Sequence, residues 1–176
     1  MKSILSCSAV MAAKRCVGVV AVMALAALPA IGAGSAKQAV RKDSDPSITV
    51  YNRGVELMLA KRFPEAEAKF EQAVKENPKF AEAHNNLGYT LRKQGAANYT
   101  KSLEHYNTAI ELKPKLAEAY MYRGVLYTEM GRKSDAQADL ATLQKMNPEL
   151  AKDLAEFMKT GKEEDQLYGL STKIRQ

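Results

Sequence analysis

His84 and His105 are the two imidazoles of this 176-residue chain, and Cys7 and Cys16 are its two thiols. With the carboxylates, they are the side chains that could ligate a metal, relay a proton or attack a carbonyl. Their spacing supports none of these. Neither histidine has a further ligand type at metal-site spacing. Glu65, Glu67, Glu71 and Glu76 stand at mixed helical offsets from Lys61, Lys69 and Lys75. That pattern makes a solvated face with i,i+4 ion pairs, not a pair of general acids. No G-x-S-x-G, P-loop, H-E-x-x-H or dinucleotide glycine pattern occurs. The chain reads as a non-enzyme with no metal and no cofactor, and His105, beside Tyr106 on a polar stretch, is expected to face solvent.

Both cysteines fall in a segment built unlike the rest. Met1 to Ala36 contains no Asp or Glu. It passes from basic residues (Lys2, Lys14, Arg15) through an apolar stretch, Cys16 to Ile31, to small residues ending at Ala36. That order predicts a secretory signal peptide over 1–36, cleaved between Gly32 and Ala36. Met11 supplies a second candidate start. The apolar stretch is shorter than the ~20 residues a spanning helix needs, so membrane contact is expected only if the segment stays uncleaved. The apolar lead before Ser6-Cys7 is too short for a lipoprotein signal. A mature chain without cysteine suits an oxidising compartment but has no disulfide framework, and a periplasmic or secreted location follows. The net charge of +6 falls to about +3 when the three leader cations leave, too mild a balance to argue for nucleic acid.

Residues 37–46 read as a disordered linker, closed by Asp45 as N-cap and Pro46 at a first helical position. Beyond it the chain repeats. After Gly54 come Ala66, Phe70, Ala73 and Pro78; at the same offsets after Gly124 come Ala136, Leu140, Leu143 and Pro148. After Gly88 the matching Ser102, Tyr106, Ala109 and Pro114 stand two positions later. Three units result, 47–80, 81–116 and 117–150, with the two extra residues in the turn Gln94 to Tyr99. Each glycine sits inside a helical pattern, where it costs about 1 kcal/mol against Ala. Its retention implies close approach of the unit's first helix to its second, with Ala66, Ser102 and Ala136 opposite and Phe70, Tyr106 and Leu140 one turn on. The prolines stop each second helix. From Pro148, Leu150, Leu154 and Phe157 share one face of a seventh helix that ends near Gly161. Residues 151–176 are expected to be this capping helix and a loose tail.

This pattern resembles the tetratricopeptide repeat, a helix–turn–helix unit of 34 residues with W-x2-L-G-x2-Y, A-x3-F and P. Val50, His84 and Tyr120 replace its Trp; Arg53 and Arg123 replace its Leu. The resemblance implies an all-α, right-handed solenoid of three helix–turn–helix repeats with a C-terminal capping helix, and it makes His84 a packed residue. It also implies that the first helices line a concave groove holding another protein or peptide. Carried over by position, the partner-binding residues are Tyr51, Val55 and Met58; Asn85, Tyr89 and Arg92; Met121 and Val125. Glu82 and Glu118 stand on the same stripes, which run at spacings of three and four. The expected role is an extracytoplasmic adaptor or assembly factor; the alternative is a self-associating subunit of an envelope complex. The places used by relatives that clamp chaperone C-terminal carboxylates hold Tyr51, Val55, Asn86, Glu118 and Tyr122. Only Asn86 matches, and Glu118 would repel a carboxylate, so that ligand is not expected.

Overall fold

The computed structural model describes residues 45–162. The expected signal peptide, nearly all of the linker and the tail beyond Lys162 lie outside the described residues. Within them the chain forms seven α-helices: α1 (Pro46–Leu59), α2 (Phe63–Glu76), α3 (Ala81–Lys93), α4 (Tyr99–Leu112), α5 (Ala117–Glu129), α6 (Lys133–Met146) and α7 (Pro148–Thr160). No strand occurs among the described residues. The helices pair as α1–α2, α3–α4 and α5–α6, and successive pairs pack on one another, with α7 against α5 and α6. This is the all-α solenoid of tetratricopeptide type.

Local chemistry sets the helix ends. The Asp45 carboxylate accepts the Ser47 N–H at 3.0 Å and its hydroxyl at 2.7 Å, capping α1 with Pro46 in its first turn. Asn77 and Asn147, each followed by proline, have extended backbones (φ −135° and −150°), which stop α2 and α6. Asn147 also starts α7, its side-chain oxygen accepting the Leu150 N–H at 3.2 Å. Gly161 ends α7 in the left-handed region at φ 68°.

The glycine contacts refine the sequence expectation. A Cβ on Gly54 would lie 2.7 Å from the Phe70 ring, so the first repeat's glycine admits the aromatic from its own second helix. In the third repeat α6 offers Leu140 in place of a ring, and the atom nearest a Cβ on Gly124 is Leu154 Cδ2 of α7, at 2.5 Å. Ala66 and Phe70 are both fully buried. Ala66→Leu should therefore overpack the α1–α2 hairpin and lower the unfolding free energy by about 1–3 kcal/mol. Thermal or urea denaturation reads this, and an unchanged curve would refute the packing.

The two extra residues of the middle repeat form a 3-10 turn, Ala96–Asn98, before α4. Tyr99, which closes that turn, packs against the core, and burial and the Glu129 carboxylate of α5 together raise the pKa of its phenol. Arg92 Nη1 reaches the same carboxylate at 2.7 Å. The enlarged turn thus joins the second repeat to the third.

Candidate functional site

The eight stripe residues share one region but not as an open groove. Tyr51, Val55, Met58, Asn85, Tyr89, Arg92, Met121 and Val125 are each 4% exposed or less. The concave groove that the resemblance implies is therefore not lined by open Tyr and Met side chains at these positions. All but Asn85 and Arg92 belong to the main apolar cluster with Phe70 and Phe80. Tyr51 packs on Phe80 (ring centres 4.8 Å apart) and Phe70 (5.7 Å), and Tyr89 meets Tyr122 edge-on at 5.2 Å. Large aromatic area is withdrawn from water wherever a neighbouring helix allows it. The guanidinium of Arg92 lies 5.4 Å over the Tyr89 ring. Burial pushes the Tyr51 phenol well above its ordinary pKa, so it stays neutral.

A short polar row crosses this interior. Asn86 Nδ2 donates to the Tyr51 oxygen at 3.0 Å, and Asn85 Nδ2 donates to Asn86 Oδ1 at 3.4 Å. Asn85 Oδ1 is buried and accepts no hydrogen bond. Both asparagines line a cavity of about 240 Å³, with Glu82 of α3, Glu118 of α5, and Lys113, Lys115 and Leu116 of the intervening turn. Lys113 Nζ pairs with Glu82 at 2.6 Å. The cavity is balanced in formal charge, two lysines against two glutamates, and one of its buried atoms is an acceptor without a donor. Glu82 and Glu118 stand where the stripes put them. The α4–α5 turn is not legible as part of this region from the sequence, because Lys113, Lys115 and Leu116 flank Pro114 at the end of a repeat and belong to no stripe.

The histidines depart most from expectation. His105 is half-buried, and its Nδ1 lies 3.1 Å from Nδ1 of the buried His84. His84 Nε2 lies 3.1 Å from the Pro78 carbonyl. A carbonyl only accepts, so His84 carries its proton on Nε2 and leaves Nδ1 bare; His105 then donates from Nδ1. Burial lowers the pKa of both rings, and the neighbouring His84 adds to the effect on His105, which falls to about 4. Among the described residues no group of three or more His, Cys, Asp or Glu side chains could hold a metal ion, and no helix is long and apolar enough to cross a membrane.

A sequence model described as TPR repeat matches residues 98–131, and one described as tetratricopeptide repeat matches 69–104. The chain is 31% identical over 134 residues to the Hsp70-Hsp90 organizing protein 1 of Glycine max, covering 72% of this chain and 23% of that one. It is 35% identical over 72 residues to the UDP-N-acetylglucosamine–peptide N-acetylglucosaminyltransferase of Giardia intestinalis, covering 41% of this chain and 5% of that enzyme. The chain thus spans less than a quarter of either relative. In fold it is similar to the first TPR of Spaghetti (RPAP3) bound to the HSP90 peptide SRMEEVD (TM-score 0.61, 15% identity, covering 68% of this chain and 94% of that one). It is also similar to the Arabidopsis OM64 TPR domain (TM-score 0.60, 19% identity, covering 66% and 96%). The chain carries tetratricopeptide repeats.

Proposed function

We propose that this protein is a protein–protein interaction module of the extracytoplasmic space, an adaptor or assembly factor that holds a partner's extended segment along α3 and α5. The unpaired Asn85 Oδ1 on the wall of the 240 Å³ cavity carries this reading. A buried acceptor without a donor costs about 1–3 kcal/mol, and an extended peptide supplies backbone N–H groups at this point. The solved TPR bound to an HSP90 peptide supports a peptide as the class of ligand. It does not extend to the same peptide, because Tyr51 and Val55 are buried and Asn86 already donates to Tyr51. The signal-like order of residues 1–36 supports the location.

A photocrosslinking residue at Glu118, on the cavity rim, should capture a defined polypeptide in the envelope fraction. The same residue at Lys152, on the exposed face of α7, should not. Asn85→Leu should lower the Glu118 yield about tenfold, the effect of 1.4 kcal/mol at one hydrogen bond. Equal capture from both positions, or capture indifferent to Asn85→Leu, would move the site elsewhere. Recovery of the full-length protein in the cytosolic fraction would refute the location.

A further inference from the structure

The His84–His105 contact is placed to govern the pocket helix. The ring centres are 5.3 Å apart and the facing nitrogens 3.1 Å apart, so the two Nδ1 atoms meet nose to nose between the rings. That geometry suits a proton and not a metal. An ion midway would lie at half of 3.1 Å from each nitrogen, well inside the about 2.0 Å of a zinc–nitrogen bond. One proton, donated by His105, holds the rings together. The chain of bonds runs from the Pro78 carbonyl at the end of α2, through His84 on α3, to His105 on α4. It ties the first repeat to both helices of the second, and His84 directly precedes Asn85 and Asn86 in the cavity wall.

The pair can take one further proton intact, on His105 Nε2. It cannot take two. The second has only His84 Nδ1 to occupy, which already accepts the shared hydrogen, and two cations would then face each other. We propose that this pair is an acid-operated latch on α3: closed near neutral pH, opened by protonation of both rings, and loosening the cavity wall as it opens. This rests on the peptide-binding reading for its consequence, but not for its chemistry. The charged neighbours in sequence are Lys75, Glu76 and Lys79 around the end of α2, Glu82 on α3, and Lys101 and Glu104 on α4. Glu82 is half-buried and paired with Lys113, the other five are exposed, and the two rings are shifted by burial, the Pro78 carbonyl and the facing ring, not by these charges.

The sign follows from proton counts. Unfolded, both rings take protons near their ordinary value of about 6.5. Folded, they resist, and His105 does so down to about 4. Between those values the unfolded chain binds more protons, so the fold weakens as pH falls through that window.

Long-range ¹H–¹⁵N spectra of the imidazoles in the full chain test the latch. At pH 7.5 His84 should be protonated on Nε2 and His105 on Nδ1, and both should ionise well below 6.5. The melting temperature should fall by roughly 5 °C or more from pH 6.5 to 4.5. His105→Gln keeps an N–H for His84 Nδ1 and does not titrate; it should remove about half of that fall. His84→Gln, which can still donate to Pro78, provides a second variant should the first fold poorly. Either ring ionising at its ordinary value, or an undiminished fall in both variants, overturns the latch. Crosslinking from Glu118 at pH 7 and pH 5 then reads the consequence: wild-type yield should drop in acid, and the variants should retain more of theirs. No capture at either pH would count against peptide binding, while the imidazole spectra still decide the latch.

Discussion

Removal of residues 149–176 is expected to leave a protein that unfolds or aggregates at ordinary temperature. Leu150, Leu154 and Phe157 of α7 are all buried, at 4%, 0% and 6% exposure. Burying side chains of this size contributes about 1.5–3 kcal/mol each. Their combined loss, about 4.5–9 kcal/mol, rivals the whole stability of a small domain, about 5–15 kcal/mol. The loss is also local in a damaging way. Leu154 fills the space over Gly124, so truncation would open the backbone of α5 there to water. An end repeat needs a polar outer face, and α7 provides it with Lys152 and Glu156 exposed. Leu154→Ala isolates the central contact and should cost about 2–5 kcal/mol. Size-exclusion chromatography and denaturation together read both variants. A monodisperse truncation with an unchanged melting curve would show that α7 is an appendage.

The stop and start signals were legible because they act within a few residues. Proline, asparagine and glycine at the helix ends constrain their own backbone, so the three hairpins and α7 follow from spacing alone. Exposure was not legible. Period-3 and period-4 spacing shows that Tyr51, Val55 and Met58 share a face; whether that face is covered depends on residues far away in sequence. Tyr51 is closed over by Phe70, Phe80 and Asn86, the last 35 positions on. His105 was misjudged for the same reason, since its partner stands 21 positions back on the facing helix. One glycine partner read as intra-repeat also differs: Gly54 and Gly88 meet Phe70 and Tyr106 of their own second helices, whereas Gly124 borrows Leu154 from α7. The cavity itself was half legible. Glu82 and Glu118 lie on the stripes, but the lysines that balance them come from a turn whose position only the packing of α4 on α5 fixes.

Asp139→Ala is expected to cost about 3 kcal/mol or more, although no catalytic or binding role attaches to Asp139. Arg123 stands where the repeat pattern favours leucine, and the structure shows what holds it there. Its Nε and Nη2 donate to the two oxygens of Asp139 at 3.0 and 2.6 Å, and its Nη1 donates to Asn107 of α4 at 2.8 Å. One guanidinium therefore joins α5 to α6 and to the preceding repeat. The Asp139 side chain is 4% exposed, and burial pushes its carboxyl upward in pKa against the opposing pull of Arg123. Breaking a buried pair by removing one partner costs about 3–5 kcal/mol, because the remaining charge is stranded. Arg123 is 18% exposed and can turn partly toward water, which favours the lower end. The first repeat supplies an internal contrast. There Arg53 has Lys69 at the offset where Arg123 has Asp139, and it pairs instead with Glu56 in solvent, at 2.7 Å. Arg53→Ala should therefore change stability by less than about 1 kcal/mol. The double replacement Arg123→Met with Asp139→Leu should recover most of the loss, since apolar packing often replaces a buried pair without penalty. Urea denaturation of Arg123→Met, Asp139→Leu and the double replacement closes the cycle. Additive losses would show that Arg123 and Asp139 stabilise the hairpin separately, and that the ion pair does not explain the arginine at position 123.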